Sequence, residues 1–296
     1  MIDNQIYFHN VASLEPAKGT LGVILQRFPK LVRDSLGTDE VQRGRYVANY
    51  STGCEMRFVT ASDMIRITLS APMEGGNIIV YNGDFVHSIH YLPQGGVHTL
   101  HLEKNERFHQ VDWDSIHKGR FSHEVWRVAV SRHHIASAGF TVVFHDLETF
   151  GHGHRPPHVN EMPSLQWIAY GSSITHGSGA TMHHNAYVQH AARRLGVDVM
   201  NKGMGGSCFC EATMSEFLIQ SQWDIATLEL GVNMRELFTT EEFRARAFYL
   251  VDQMSRSGKP VFLITIYPNS AVYLHNTSYK FRKDSCEAFM YAPNKE

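Results

Sequence analysis

The sequence predicts two regions of different fold class: an antiparallel β-sandwich of jelly-roll type over residues 1–150, and an α/β region over 163–296. Three observations carry this expectation. Up to residue 150, seven short runs of roughly alternating polarity are separated by turn residues, as in a half-buried antiparallel sheet. Then Gly151-His152-Gly153-His154-Arg155-Pro156-Pro157-His158 interrupts the pattern, and Pro-Pro can continue neither a helix nor a central strand, so 151–162 reads as a linker. Beyond it, short apolar runs alternate with helical periodicity, the rhythm of a parallel sheet covered on both faces.

In the first region the runs are GCEMRFVT (53–60), MIRITLS (64–70), NIIVYNG (77–83), VHSIHYL (86–92), VHTLHLE (97–103), EVWRVAVS (124–131) and FTVVFHD (140–146). Clusters such as Glu74-Gly75-Gly76, Asn82-Gly83-Asp84 and Pro93-Gln94-Gly95-Gly96 supply the turns. Leu21 to Leu36 fits helix or strand equally. In the second region Leu165 to Tyr170 is brief, aromatic and β-branched and ends at Gly171, which predicts a buried strand. Asn185 to Leu195 repeats Tyr187, Ala191 and Leu195 at helical spacing and is closed by Gly196. Strands are expected at 197–201, 223–230 and 260–266, with a helix over Glu241 to Met254.

Composition excludes several function classes. The chain is 43% hydrophobic and 19% charged, which is globular rather than disordered. A net charge of -2 with no Lys/Arg block predicts neither nucleic-acid nor anionic-membrane binding. No apolar run reaches 18 residues and the N-terminus lacks a basic and an apolar segment, so neither a membrane span nor a secretory signal is expected. Cys54, Cys208, Cys210 and Cys286 have neither zinc-finger spacing nor scaffold density, which points to free thiols in the cytoplasm. Of the 19 histidines none stands in an HExxH pattern, and the His152/His154/His158 group reads as linker rather than metal site, so neither metal nor cofactor is expected.

Three strand ends carry glycine-and-polar clusters: Gly171-Ser172-Ser173-Ile174-Thr175, Asn201-Lys202-Gly203-Met204-Gly205-Gly206-Ser207 and Gly231-Val232-Asn233-Met234. In a parallel sheet these turns lie side by side at the carboxyl edge, where ligands bind. A serine on a sharp turn there suits nucleophilic attack on a carbonyl, with a glycine-turn N–H and an asparagine amide as oxyanion donors. Capping of the following turn is the competing role for Ser172 or Ser173.

GSSIT, NxGxxG and GxN in this order resemble the first three sequence blocks of the SGNH (GDSL-type) hydrolases. The resemblance implies a flavodoxin-like three-layer domain, Ser173 as nucleophile, and the Gly206 N–H and Asn233 amide, with the Ser173 N–H, as the oxyanion hole. An N-terminal β domain is similar to that of a subgroup of carbohydrate and small-molecule esterases. Ser172 stands where the first block usually has aspartate, and Met234 where aspartate follows the third-block asparagine. The last Asp-x-x-His block, the family's general base, is absent, so the α/β domain is expected to be C-terminally shortened. Asp84-Phe85-Val86-His87 and Asp114-Ser115-Ile116-His117 match that spacing but fall in the β region and read as strand or turn residues. His275 is the one histidine beyond the fourth strand, and it lacks an aspartate three residues before it.

Two functions follow. One is a serine esterase removing an acyl group, such as acetyl, from a sugar or small metabolite, with Ser172 and His176 as candidate substrate contacts. His176 reads more readily as a solvated loop histidine at the pocket rim than as a substitute base. The other is a catalytically impaired saccharide-binding protein, with Tyr81, Tyr91 or Trp113 as stacking aromatics unless they pack in the core or at an edge. Pro260 to Ile266 would end a four-stranded sheet as a hydrophobic edge, which a helix over Phe281 to Tyr291 or a second copy of the chain could cover.

Overall fold

The computed structural model describes residues 1–37, 42–113, 120–132, 139–235 and 237–266. The chain opens with β1 (Ile2–Asp3), β2 (Ile6–His9), β3 (Ser13–Pro16) and β4 (Val23–Gln26), then the short helices α1 (Lys30–Ser35) and α2 (Arg43–Ala48). β5 (Glu55–Thr60), β6 (Met64–Ser70), β7 (Gly76–Asn82), β8 (Phe85–Leu92), β9 (Val97–Glu103), β10 (Val125–Val130), β11 (Val143–Thr149) and β12 (His154–Arg155) follow. The remainder holds β13 (Gln166–Gly171), α3 (Ser173–His176), α4 (Tyr187–Leu195), β14 (Asp198–Gly203), α5 (Ala212–Gln220), β15 (Ile225–Glu229), α6 (Thr240–Ser255) and β16 (Val261–Ile264). No described helix is long and apolar enough to cross a membrane.

The chain divides into two compact units, neither contiguous in sequence. One comprises Met1–Pro29, Ala48–Gln166 and Gly177–Met200; the other comprises Lys30–Val47, Trp167–His176 and the chain from Asn201 onward. The Leu21–Leu36 stretch is both strand and helix, β4 and then α1. Pro29 separates them, since proline donates nothing to a ladder and its fixed φ suits a helix start.

In the first unit, β1–β12 form two antiparallel sheets, ordered β1-β2-β5-β10-β7-β8 (with β12 on β5) and β3-β4-β11-β6-β9. Alternation sets the register. On β6 the buried Ile65, Ile67 and Leu69 take turns with half-buried neighbours, and Ile65 and Ile67 stand opposite Leu102 and Leu100 of β9. One core cluster draws on both sheets, with Phe8, Phe58, Trp126, Phe140 and Phe144 among its members. β1–β3 are not expected from sequence, because three strands of two to four residues are too short to show a period.

Residues 151–162 carry regular structure. β12 pairs with β5, and Arg155 makes a two-pronged ion pair with Glu161 at 2.7 Å on each side. Tyr81 is buried beneath the Arg127 guanidinium and is no stacking platform, whereas Tyr91 is exposed and Trp113 lies flat on His123 at 4.0 Å. In the Asp84–His87 pair, Asp84 accepts the Arg120 and Phe121 backbone N–H groups and His87 Nε2 lies 2.6 Å from Glu103 O, so both residues are structural. Asp114–His117, His275, Phe281–Tyr291 and Cys286 lie outside the described residues. The helix α4 ends at Gly196 in the left-handed conformation (φ 69°) as expected, but its buried stripe is Val188 and Ala192. Tyr187 and Leu195 face outward.

A charge cluster lies buried in this unit. Arg127 binds Glu55 through Nη2 (2.7 Å) and Nε (3.0 Å), and Arg57 binds Glu55 through Nε (2.8 Å). Arg57 also grips Asp198 with both terminal nitrogens, at 2.5 and 2.9 Å. The Phe121 ring lies within 4.7 Å of Arg57 and 4.0 Å of Arg127. Burial pushes both carboxyls up, but the guanidiniums outweigh it. Arg127 and Arg57 hold Glu55 well below the ordinary carboxylate range, and Arg57 does the same to Asp198.

Folded pKa values below the unfolded ones mean the cluster's stabilisation is fully present above the ordinary carboxylate pKa and is lost as pH falls through the folded values. Urea unfolding is therefore expected to weaken progressively below about pH 4. Arg57→Met, which leaves the buried Asp198 carboxylate without its guanidinium while Glu55 keeps that of Arg127, is expected to cost about 3–5 kcal/mol at neutral pH and to flatten that acid dependence.

Candidate active site

The sheet that positions the site has the order β14-β13-β15-β16, with β13, β15 and β16 running parallel. In chain sequence this is the order 2-1-3-4, so the connections leave β13 in opposite directions and open a crevice beyond its carboxyl end. Phe262 and Leu263 on the edge strand β16 are 58% and 51% exposed.

β13 is buried from Trp167 to Gly171 and delivers the chain into the single turn α3. Ser173 is the first residue of that turn and is half-buried. Its neighbour Ser172 is fully buried, and both its N–H (2.8 Å) and its hydroxyl (2.6 Å) donate to Glu229 Oε2, at the end of β15. The Thr175 hydroxyl donates to the same oxygen at 3.1 Å. Ser172 Oγ in turn accepts the Ile174 N–H (3.1 Å), and its carbonyl accepts the His176 N–H (3.0 Å). The expectation that Ser172 contacts substrate is thereby corrected: its hydroxyl is spent on a buried carboxylate. Gly171 is required by the same packing, for a Cβ there would sit 2.7 Å from Glu229 Oε2 and closer still to the Thr175 hydroxyl.

The second turn is laced to the first. Met204 N–H donates to Gly171 O at 2.8 Å, and the buried Asn201 spans both, donating to Thr175 O (2.8 Å) and accepting from Gly203 N–H (2.9 Å). Gly203 lets the chains touch, since a Cβ would lie 2.5 Å from His176 Cα. His176 is thus 1% exposed and packed against β14, not a solvated residue at a rim. Gly205 faces Ser173, its absent Cβ direction ending 3.7 Å from Ser173 Cβ. Gly206 has φ +71°, and the exposed Arg43 of α2 lies over it, Nε donating to Gly205 O at 2.9 Å.

The third turn follows Glu229. Asn233 is half-buried, and its Oδ1 accepts the Cys208 N–H at 3.1 Å, which orients the side chain and leaves the Nδ2 amino group as a donor. The Cys208 thiol donates to Glu229 O at 3.7 Å, and burial pushes its pKa well above the ordinary range.

Each turn is therefore tied to the other two, and Ser173, Gly206 and Asn233 sit on turns that the structure brings together. Sequence reading missed Glu229, Asn201, Thr175 and Arg43. Asn201 stood inside the quoted cluster, but nothing in the spacing marks Glu229, which is 57 residues from Ser172.

Residues 166–290 match the family model of the GDSL-like lipase/acylhydrolase family. No curated protein matches the chain. The fold is similar to that of the salicylyl-acyltransferase SsfX3 from a tetracycline biosynthetic pathway (13% identity, TM-score 0.63, covering 89% of this chain and 83% of that one). It is also similar to a protein designated a GDSL-like lipase from Bacteroides ovatus (14%, 0.58, 98% and 87%). A family two carbohydrate esterase from Clostridium thermocellum, solved with cellohexaose, matches at 10% identity and TM-score 0.52, covering 83% of each chain.

Gly171→Ala, which forces a methyl into the Glu229–Thr175 contact, is expected to cost about 1–3 kcal/mol in thermal or urea unfolding. Gly205→Ala meets only an ordinary contact and is expected to stay within about 0.5 kcal/mol of wild type.

Proposed function

We propose that the GDSL-like lipase/acylhydrolase domain of residues 166–290 acts as a serine esterase, hydrolysing the ester of an acyl group such as acetyl on a carbohydrate or small metabolite. The observation that carries this reading is the mutual locking of three strand-end turns, with Ser173 on the first and the anchored Asn233 amide on the third. Ser173 Oγ attacks the ester carbonyl. The oxygen that takes up the electron pair is met by the Gly206 N–H and Asn233 Nδ2, donors held in place before the charge develops. Collapse expels the alcohol, whose oxygen takes up the proton that the Ser173 hydroxyl gives up, and leaves an acyl-serine, which water then hydrolyses.

The carbohydrate side of the proposal is supported by the shared fold with the Clostridium thermocellum carbohydrate esterase. The two antiparallel sheets with their common core support reading the first region as a jelly-roll-like sandwich.

A serine hydroxyl at its ordinary pKa is a poor nucleophile, so labelling by a fluorophosphonate reports activation whichever group acts as base. The purified chain is expected to label at Ser173 and Ser173→Ala not at all. Asn233→Ala is expected to keep the fold and lose about 10²–10³ in kcat on a small acetyl ester. A folded wild-type protein that does not label would replace this reading with that of a saccharide-binding protein.

A further inference from the structure

The mechanism above does not use the buried carboxylate that lies beside the Ser172–Ser173 turn. Glu229 is 4% exposed, and a buried charge of this kind is costly unless its lone pairs are filled. Among the described residues no arginine or lysine forms an ion pair with it. Its Oε2 is instead filled by neutral donors of one turn: the N–H and hydroxyl of Ser172 and the hydroxyl of Thr175. Those donors bracket Ser173 in sequence. If the turn shifted, the carboxylate would lose charge-assisted hydrogen bonds in a site closed to water, which is more expensive than losing neutral ones. The conformation that presents Ser173 is thus the one that satisfies Glu229.

Resting on the reading of Ser173 as nucleophile, we infer that Glu229 is its positioning residue, holding the turn from β15 through Ser172 and Thr175. Glu229 is 4% exposed, and its hydrogen bonds among the described residues run to Ser172 and Thr175 rather than to Ser173, so it is assigned positioning and not the role of base. The carboxylate of the neighbouring strand is received by the small hydroxyl at 172. Gly171 belongs to the same arrangement, since the carboxylate occupies the space a side chain there would need.

The two side chains can be exchanged. Glu229→Gln keeps an acceptor oxygen but no charge. It is expected to lower kcat on a small acetyl ester, and the rate of fluorophosphonate labelling, by about 10- to 100-fold. KM should stay within about threefold, at a temperature where circular dichroism shows the protein folded. Ser172→Asp alone crowds two carboxylates into one site and is expected to lose at least as much. The double variant Ser172→Asp/Glu229→Ser places the carboxylate on the turn and is expected to recover about tenfold or more over the worse single variant. A merely structural glutamate would shift melting temperature without this kcat-only loss and without rescue.

The inference is overturned if folded Glu229→Gln labels at the wild-type rate, or if the folded double variant is no better than the worse single one. Should Glu229→Gln fail to fold, the double variant decides alone. Absence of labelling in the wild type is a different result, which removes the esterase reading and this inference with it.

Discussion

A buried carboxylate held by neutral donors is the constraint on which the site depends. Glu229 accepts from Ser172 and Thr175 through Oε2, so strand β15, the Ser172–Ser173 turn and α3 are held in one common conformation. Gly171 is small because that carboxylate and the Thr175 hydroxyl fill the space beside it. Geometry a serine nucleophile would need is in this way written into hydrogen bonds that are expensive to break.

The other turns extend the same logic by different means. Asn201 uses its amide to join the second turn to α3, and Asn233 accepts a backbone N–H from Cys208 on that turn. Parallel strands end with unpaired backbone groups at one edge, and here asparagine and glutamate side chains satisfy them. What remains available is the half-buried Ser173, the glycine loop and the amino end of Asn233. Rigidity thus comes from groups that do no chemistry, while the groups suited to chemistry stay at the surface of the cluster.

The first unit shows the alternative way to bury acid. Glu55 and Asp198 are offset by the guanidiniums of Arg57 and Arg127 rather than by hydroxyls and amides. That cluster of balanced charge links β5 to β10 and to Asp198. The acid near Ser173 has no such balance, and that difference makes Glu229 informative about the turn it binds.

Sequence alone determined what local period and turn chemistry can express. The alternation of Met64–Ser70 and Val97–Glu103 matched strands of those bounds, Gly196 closed α4 in the left-handed conformation, and three glycine-and-polar clusters fell at strand ends as expected. Two-to-four-residue strands near the N-terminus were invisible because no period fits in them, and Val23–Gln26 and Lys30–Ser35 split one stretch whose composition suits either state. Tertiary structure decided the rest. It buried His176 behind Gly203, shifted the α4 stripe to Val188 and Ala192, joined Lys30–Val47 to the later unit, and turned Ser172 from a surface hydroxyl into the partner of Glu229. The physical reason is the same in each case. Which side chain is desolvated, and by what it is then satisfied, depends on contacts between residues far apart in the chain, and spacing along the chain carries no record of them.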